Sequence, residues 1–347
     1  MVNTYSPTDL MNAAFSDYLA DTRFNETPML DILGTNVVTV NTREVSWGAR
    51  LTDAEASGRL VTGPLTDDGR GSLGRARLPI ADYYAKHQMP LIKRDLIEAA
   101  QSGQTSQVRN LFQTEMDDAM RAITMAIDNA LVSGVGTLNT TSYGINGLND
   151  IIKQTGTYAG LPHSNPRWKS IVQSGAVAGT SEALTLERVT SMLRARRKAG
   201  ATSGRNDGAR LFALTSDEIQ GDVLRNLFAD QVVLNSDYAG VQRDILPYAA
   251  YMIHGFPVVS TTNAELNNRI MFIDPSKLQM YQFNDAAPAA QNNPTNIGFF
   301  SYKGLQIRIA EVNRDHPDLI TFELTTGCQL KAADPLQALS VLTDVSQ

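Results

Sequence analysis

The sequence predicts an α+β fold in which one long helix lies on an antiparallel sheet. The helix is expected over Val108–Leu131, where apolar residues recur at spacings of one, three and four and neither Gly nor Pro interrupts them. At about 1.5 Å a residue it is roughly 36 Å long, so it needs an apolar surface to cover its buried face. Three runs near the C-terminus alternate apolar and polar residues and are expected to form that surface, as short antiparallel strands at Leu305–Ile309, Ile320–Leu324 and Cys328–Ala332.

Composition limits the class of protein. A chain of 347 residues is long enough for two domains, or for one domain with large insertions. Its net charge of -6 argues against a surface that neutralises nucleic-acid phosphates as a whole, because such binding needs concentrated Lys and Arg. Cys328 is the sole cysteine, so neither an internal disulfide nor a Cys-ligated metal site is expected. No segment has the pattern of a secretory signal or approaches the run of about 18 apolar residues that a membrane span requires.

The N-terminal part is expected to contain an arm and a long two-stranded excursion. Ser6–Leu19 has the caps and the apolar stripe of a short amphipathic helix, which docks either on its own domain or on a neighbouring subunit. Thr42–Leu51 and Arg75–Ile80 both alternate apolar and polar residues, as strands do. The segment between them, Asp53–Gly74, has almost no large apolar residue. A segment this long and polar is either a flexible surface loop or an arm that becomes ordered on another subunit.

The middle of the chain is expected to alternate helices with short strands. Thr215 and Glu218 have the spacing of a capping box at a helix start. The expected helices are Leu91–Ala100, Thr185–Ala199 and Thr215–Leu227, and the expected strands are Leu211–Leu214, Gly255–Val259 and Met271–Ile273.

The sequence contains no recognisable catalytic or metal-binding constellation. The four histidines are scattered without a His-x-x-x-His pair, and no Gly-x-Ser-x-Gly elbow is present. Gly134-Val135-Gly136 follows a helix and lacks the Lys-Ser/Thr of a nucleotide loop, so we interpret it as a helix C-cap and turn. Asp117-Asp118 and Asp67-Asp68 are sequence neighbours, which point about 100° apart on a helix and therefore indicate a solvated face. No enzymatic activity and no cofactor are expected.

One dense basic cluster is present, formed by Arg194, Arg196, Arg197 and Lys198 at the end of the helix expected over Thr185–Ala199. Cations at a helix C-terminus complement the helix dipole. The cluster is therefore interpreted as a helix end or a source of inter-subunit ion pairs, with nucleic-acid contact as the other possibility.

The order of several short motifs resembles the major capsid proteins of tailed bacteriophages. The first is the passage Ala130-Leu131-Val132-Ser133-Gly134-Val135-Gly136 followed by Gly147-Leu148, which in that family closes the long spine helix. The others are Gly255–Ser260, Ile273–Ser276 and Cys328–Pro335. Each motif is short, and the weight of the resemblance lies in their order, which extends from about Thr42 to Leu342.

The resemblance implies the tailed-phage major capsid fold and its parts. These would be an N-terminal arm at 1–41, an extended loop and its base at 42–90, a peripheral domain with the spine helix at 91–159, an axial domain at 160–283, and a return to the peripheral domain at 284–347. The extended loop of this family lies over an adjacent subunit. The inter-subunit residues implied here are Asp53, Glu55, Arg59, Asp67, Asp68, Arg70, Arg75 and Arg77. Because no lysine occurs between Arg43 and Ala85, a Lys–Asn crosslink at the loop tip is not expected.

The resemblance also implies the function. The chain is expected to self-assemble, as pentamers and hexamers, into the icosahedral head shell that encloses the double-stranded DNA of a tailed phage. Expected partners are a separate scaffolding protein, the portal, a decoration or cement protein, and packaged DNA through weak non-specific contact, with no membrane. Assembly would take place in the host cytoplasm and the product would be the virion capsid. An encapsulin-type nanocompartment shell has the same fold and remains an alternative, which the amphipathic helix Ser6–Leu19 keeps open; a soluble enzyme is a third class.

Overall fold

The computed structural model describes most of the chain after residue 26. The described ranges are 27–34, 37–51, 72–92, 105–137, 143–175, 182–201, 211–219, 251–253, 256–284, 296–302, 304–311 and 319–346. The arm helix expected over Ser6–Leu19, the loop tip and the continuation of the helix after Thr215 fall outside them.

Two of the described helices exceed ten residues, and the others are single turns. The helices are Pro28–Leu33, Thr105–Ser133, Leu148–Ile151, Leu186–Lys198 and Pro335–Ala338, with 3-10 turns at Pro166–Trp168, Ala264–Leu266 and Pro275–Lys277. We call Thr105–Ser133 the spine helix and Leu186–Lys198 the basic helix.

Most of the strands belong to two six-stranded sheets, and the rest form short two-stranded pairs. In chain order they are β1 Val37–Val40, β2 Glu44–Arg50, β3 Leu73–Pro79, β4 Ala81–Ile92, β5 Val135–Thr137, β6 Tyr143–Asn146, β7 Thr157–Tyr158, β8 Leu161–Pro162, β9 Ile171–Gln173, β10 Glu182–Ala183, β11 Phe212–Ser216, β12 Tyr251–Ile253, β13 Phe256–Thr261, β14 Ile270–Ile273, β15 Leu278–Phe283, β16 Asn296–Tyr302, β17 Leu305–Glu311, β18 Leu319–Ala332, β19 Leu339–Leu342 and β20 Val345–Ser346.

The first sheet is organised around β18. Its strand order is β1-β15-β18-β17-β16, and β4 also pairs with β18. The sequence predicted two short strands in this region, and the structure has one strand of 14 residues. The reason is visible in the sequence, because the apolar residues from Ile320 to Ala332 all fall on even positions, and no residue in the run shifts this phase.

The spine helix lies against this sheet, as the sequence predicted. It begins three residues before and ends two residues after the predicted bounds. Met116, Ile123, Ile127 and Leu131 are buried in the same core cluster as the inward residues of β15, β17 and β18. The short helix Pro28–Leu33 joins it at a buried contact, where Asp128 accepts a hydrogen bond of 2.9 Å from the Leu30 amide.

The second sheet has the order β12-β13-β11-β14-β19-β9 and is covered on both faces. Successive residues of its central strands alternate between two clusters: Met271 and Ile273 belong to the core beneath the spine helix, and Ile270 and Phe272 belong to a second core. Val189 and Met192 of the basic helix fill that second core. Since both faces are buried, the strands are continuous apolar runs and show no alternation of polarity.

Two expectations are corrected. The helix expected to begin at Leu91 does not, because Leu91 and Ile92 end β4, which pairs with β18 as far as Leu319; residues 93–100 are outside the described part. Thr215 does not cap a helix, since it lies within β11 and its hydroxyl donates to the Arg269 carbonyl at 3.1 Å. The cap is one residue later, where Ser216 Oγ accepts from the Ile219 amide at 3.4 Å.

The chain crosses between the sheets at other points than the domain bounds predicted. β15 fell within the segment 160–283 expected as axial domain, but it hydrogen-bonds to β18 and β1 in the first sheet. β19 fell within the segment 284–347 expected to return to the peripheral domain, but it pairs with β14 and β9 in the second sheet. These pairings assign strands to sheets and not to domains, so the division into domains stays a prediction.

The burial of β18 predicts the reactivity of Cys328. This thiol is fully buried, and burial raises its pKa above the ordinary value, with the charge of Asp82 as the smaller cause. We expect labelling by a neutral thiol reagent to be on the order of a hundredfold slower in the folded subunit than in denaturant, because the strand must open first. Mass spectrometry after timed labelling measures this, and equal rates in both states would contradict the position of β18.

Candidate functional site

β2 and β3 form a two-stranded antiparallel ribbon that leads to the loop tip. The register extends from Glu44 opposite Pro79 to Arg50 opposite Leu73. Beyond it, the Leu51 amide donates a hydrogen bond of 2.9 Å to the Ser72 carbonyl. Leu51 and Ser72, which flank the segment 52–71, are therefore held side by side, as in the stem of a hairpin.

The ribbon is continuous with the first sheet. Only Ile80 separates the end of β3 from the start of β4, and the Ile80 amide donates to the Arg43 carbonyl at 2.8 Å. β4 then pairs with β18 along most of its length. The direction in which the ribbon leaves the subunit is consequently set by the sheet.

One face of the ribbon packs on the body of the subunit. Val45, Ala49, Ala76 and Leu78 are buried there. Trp47 lies on the same face, with its ring centroid 6.3 Å from that of Trp168. This alternation is the one the sequence predicted for both strands, so the face that holds the ribbon was foreseeable.

The contact that receives this face is a tight hairpin, formed by β7 and β8, followed by a 3-10 turn. The Arg77 amide donates to the Ala159 carbonyl at 2.9 Å, and Trp168 Nε1 donates to the Tyr158 carbonyl at 3.0 Å. The Tyr158 hydroxyl in turn accepts from the Ala332 amide at 2.9 Å, at the end of β18. The hairpin thus connects the ribbon to the first sheet by a second route.

A lysine of the sheet closes over the ribbon tryptophan. Lys331 Nζ lies 5.1 Å from the centre of the Trp47 ring and 5.2 Å from that of Tyr281. It is also 3.2 Å from the Tyr281 hydroxyl. A cation at this distance from an indole face is attracted by the ring quadrupole, so this contact adds to the apolar packing.

The base of the ribbon is joined to the spine helix region by one buried amide. Gln329 Nε2 donates to the Pro79 carbonyl at 2.7 Å, and its Oε1 accepts from the Asn146 amide at 2.8 Å and from the Leu330 amide at 3.0 Å. Pro79 ends β3, and Asn146 ends β6, the second short strand after the spine helix. Gln329 therefore links three elements that are far apart in sequence.

The other face of the ribbon is accessible. Arg75 and Arg77, two of the predicted inter-subunit residues, are exposed on it. Arg77 Nε is 3.7 Å from the Glu44 carboxylate and Arg75 donates to Ser46 Oγ at 3.3 Å. Exposed pairs of this kind contribute about 0–1 kcal/mol, so both guanidinium groups can exchange their partners at low cost. The other predicted residues, Asp53, Glu55, Arg59, Asp67, Asp68 and Arg70, lie outside the described residues.

Leu73 adds an apolar group to this outward face. Its exposed fraction is 77%, the largest among the exposed large hydrophobic residues of the described chain. It stands opposite Arg50, close to the last described pair of the ribbon. The outward face near the tip is therefore both cationic and partly apolar, which is the composition of a contact surface.

The structure divides the predicted basic cluster. Arg194, Arg197 and Lys198 are exposed, whereas Arg196 is fully buried. Its guanidinium donates to Ser340 Oγ and to the Gln337 carbonyl, both at 2.8 Å. Burial lowers the pKa of Arg196 to about 10, with the charge of Asp274 acting in the opposite direction. Arg196 therefore holds the basic helix to β19 and is removed from the surface cluster.

The helical spacing of the sequence is the signal that could have identified Arg196 as buried. Val189, Met192 and Arg196 are spaced by three and four residues, so Arg196 continues the buried stripe of its helix. The residues that sequence reasoning missed are Trp168, Tyr158 and Gln329, which lie in segments interpreted as loop or as ordinary strand. No local pattern identified their partners, because each partner comes from a distant part of the chain.

Within the described ranges, no group of three or more His, Cys, Asp or Glu residues is placed to hold a metal ion. None of the helices described there has the length and apolar character needed to cross a membrane.

We expect Gln329→Leu to lower the free energy of unfolding by about 2–4 kcal/mol, because the partly buried Pro79 carbonyl and Asn146 amide lose partners at about 1–3 kcal/mol each. Gln279→Leu, on the half-buried outward side of β15, is the matched control and should change it by less than about 0.5 kcal/mol. Denaturant unfolding of the unassembled subunit measures both. Equal effects of the two substitutions would mean that the Gln329 network is not a structural link.

No family model and no curated protein matches the chain, whereas solved structures match it over nearly its full length. The capsid asymmetric unit of cyanophage A-1(L) is 38% identical, with a TM-score of 0.77, and the match covers 95% of this chain and 96% of that one.

More distant structures have the same fold. The capsid of the empty GTA particle is 13% identical with a TM-score of 0.57, and the match covers 94% of this chain and 98% of that one. The holo-SrpI encapsulin from Synechococcus elongatus PCC 7942 is 12% identical with a TM-score of 0.54, over 95% of this chain and 92% of that one. Identity at this level shows the fold alone, whereas the 38% identity to the cyanophage capsid over almost the whole chain shows the family. The chain belongs to the major capsid proteins of tailed bacteriophages.

Proposed function

We propose that copies of this chain assemble, as pentamers and hexamers, into an icosahedral head shell that encloses double-stranded DNA. The observation that carries the proposal is the 38% identity to the cyanophage A-1(L) capsid over 95% of the chain. Assembly takes place in the host cytoplasm, and the shell is part of the virion. The chain has a structural role in this proposal and no catalytic one.

The physical requirements of a shell are met by the ribbon. A closed shell needs heterologous contacts that repeat around its symmetry axes. Each contact can be modest, because many act together once the neighbours are in place. A ribbon held by the first sheet and by the Trp47 contact presents the segment 52–71 to a neighbouring copy in a set direction, which lowers the entropy lost on contact.

The charge of the chain suits a container for DNA. The net charge of -6 opposes tight binding to phosphates, so packaged DNA makes only weak and non-specific contact with the shell and remains free to enter and leave. A scaffolding protein directs assembly, a portal occupies one vertex, and a decoration protein can bind the outer surface. Membership of the family supports these three partners as part of the proposal.

Electron microscopy of the expressed full-length chain, alone and with its scaffolding protein, tests the proposal. Closed icosahedral shells are the expected result. If only soluble monomers form under both conditions, the proposal fails. Shells that hold a protein cargo and no nuclease-protected DNA in infected cells would favour the encapsulin alternative, whose fold this chain shares.

The structure indicates where the loop tip can be deleted while the ribbon is kept. Because Leu51 and Ser72 are hydrogen-bonded neighbours, replacing residues 52–71 by Asn-Gly should close the ribbon with a two-residue turn. We expect a subunit with a melting temperature within about 3 °C of wild type, since the packed face of the ribbon is retained. Shell yield, measured by sedimentation, should fall at least about tenfold through loss of the contact with the neighbour.

A control variant in which the same 20 positions are filled by Gly and Ser residues separates loop length from loop chemistry. It should fold equally well and also fail to form shells. If the Asn-Gly variant loses its thermal stability, the segment belongs to the core of its own subunit and the inter-subunit interpretation is wrong.

Charge reversal on the outward face tests the ribbon itself. Arg75→Glu should leave the free energy of unfolding within about 0.5 kcal/mol of wild type, because the side chain is exposed. It should reduce the rate of shell assembly, measured by light scattering, most strongly at low salt. Arg75→Lys is the control, since it keeps the charge. An unchanged assembly rate for Arg75→Glu would remove this residue from the contact.

A further inference from the structure

The second sheet and the basic helix together carry opposite charges at their two ends. The direction of each element establishes this. Arg188, near the start of the basic helix, donates to the Thr343 carbonyl just after β19. Arg196, near its end, donates to Ser340 at the start of β19 and to the Gln337 carbonyl just before it. The helix therefore runs antiparallel to β19.

The strand directions place the acidic residues. β19 is antiparallel to β14, and β14 is antiparallel to β11, so β19 and β11 point the same way. The residues that follow β11, Asp217 and Glu218, consequently lie at the same end of the sheet as the start of the basic helix, where Glu187 is found. All three carboxylates are exposed, and we call this the acidic end.

The opposite end contains the exposed side chains of Arg194, Arg197 and Lys198, and we call it the basic end. The basic helix has 13 residues, so the two ends are separated by about 20 Å. Along the helix, Glu187 lies about 10 Å from Arg194 and about 16 Å from Lys198. Both separations exceed the screening length of about 8 Å at physiological salt, so the two sets of charges interact only weakly within one subunit.

The remaining charged groups that the structure describes at the two ends do not cancel this polarity. At the acidic end, the Arg188 guanidinium bonds to the carbonyls of Glu182 and Thr343, and Arg269 is 3.9 Å from Glu265. Glu182 and Asp344 add further carboxylates there. At the basic end, Asp274 is buried and its carboxylate accepts from Ser276, while Lys277 adds a cation.

The helix dipole explains the sign of the charges at each end of the basic helix. It does not explain why the sheet and helix together have one acidic and one basic end. Acidic residues are favoured in the first turn of a helix and basic residues in the last, by up to about 1 kcal/mol each. Within the described part of the chain, neither Arg194 nor Lys198 forms an ion pair, and neither does Asp217 or Glu218. These four charges are therefore accessible to another molecule.

We propose that the basic end of one copy docks on the acidic end of the next copy, as a heterologous contact within the capsomer. Like ends repel each other, so the charges select the head-to-tail arrangement in which every copy uses one end of each sign. Such a contact closes into a ring when its rotation permits. This inference rests on the proposed function and names the surfaces that join neighbours in a pentamer or hexamer.

A charge-swap experiment on the full-length chain tests the proposal. Two double variants are made, Arg194→Glu with Lys198→Glu at the basic end, and Asp217→Lys with Glu218→Lys at the acidic end. Each alone should lower the yield of sedimenting shells at least about tenfold, because like charges then face each other. The fourfold variant restores opposite signs at every contact and should recover to within about twofold of wild type.

The controls keep the outcomes separate. Wild-type chain that forms no shells would count against the proposed function, whereas shells from wild type with no rescue in the fourfold variant would overturn only this inference. Arg194→Gln with Lys198→Gln removes charge without reversing it. It should give an intermediate loss of shell yield, and this loss should become smaller at high salt. Each subunit is first checked for an unchanged melting temperature.

Two further results would overturn the inference. If the basic-end reversal forms shells at full yield but those shells retain less DNA, the basic end contacts nucleic acid and not a neighbour. If a double variant does not fold, the single variants Arg194→Glu and Asp217→Lys replace it, since each position is exposed. Failure of this pair to rescue each other would overturn the inference equally.

Discussion

Backbone pairing of β18 is the constraint on which the rest of the subunit depends. β18 has 14 residues, and residues 326–330 are all buried, so its amides and carbonyls need partners along both edges. An unpaired buried group would cost about as much as a lost hydrogen bond. β4 pairs along one edge, while β17 and β15 share the other. β15 and β17 lie shortly before β18 in the chain, whereas β4 lies more than two hundred residues before it, so the pairing of β18 joins parts of the chain that the sequence separates.

The same strand explains why the ribbon can act as an arm. Alternate residues of β18 face the spine helix and the ribbon: Cys328 and Leu330 are in the core, while Gln329 and Lys331 contact the base and the tryptophan of the ribbon. The position of the ribbon is therefore fixed by β18, which itself packs against the spine helix. An arm built in this way keeps its direction without needing a core of its own.

The sequence predicted the parts that depend on periodicity and missed those that depend on partners. The spine helix and the two ribbon strands have long, uninterrupted patterns, and the structure confirms them with small changes at the ends. β4 was partly read as a helix at Leu91 because a short apolar run has no clear period, and its strand state depends on β18, more than two hundred residues later. Thr215 was predicted as a helix cap because the preceding strand was expected to end at Leu214. β11 extends to Ser216, so the cap is found there.

The residues of the candidate surfaces were likewise predictable where periodicity decides their position, and not where it depends on the pairing of distant elements. Arg75 and Arg77 were placed correctly on the outward face by simple alternation, and burial of Arg196 was contained in the helical spacing but outweighed by the neighbouring cations in the interpretation. The polarity of the second sheet could not be predicted, because it requires the directions of four elements, and direction is a property of pairing and not of sequence. The hydrogen bonds of Arg188 and Arg196 are what establish it.

Charge is well suited to a contact that must work at more than one angle. Closely packed apolar surfaces lose much of their attraction when they separate by 0.5–1 Å, about a quarter to a half of the well depth of each atom pair. The attraction between opposite charges in water changes slowly with distance over several ångströms and needs no interlocking shape. In the proposed shell, pentamers and hexamers present the same two ends of neighbouring subunits at different angles. Contacts made by long, exposed side chains such as Arg194 and Lys198 against Asp217 and Glu218 can therefore be kept in both, while the sheets that carry them stay unchanged.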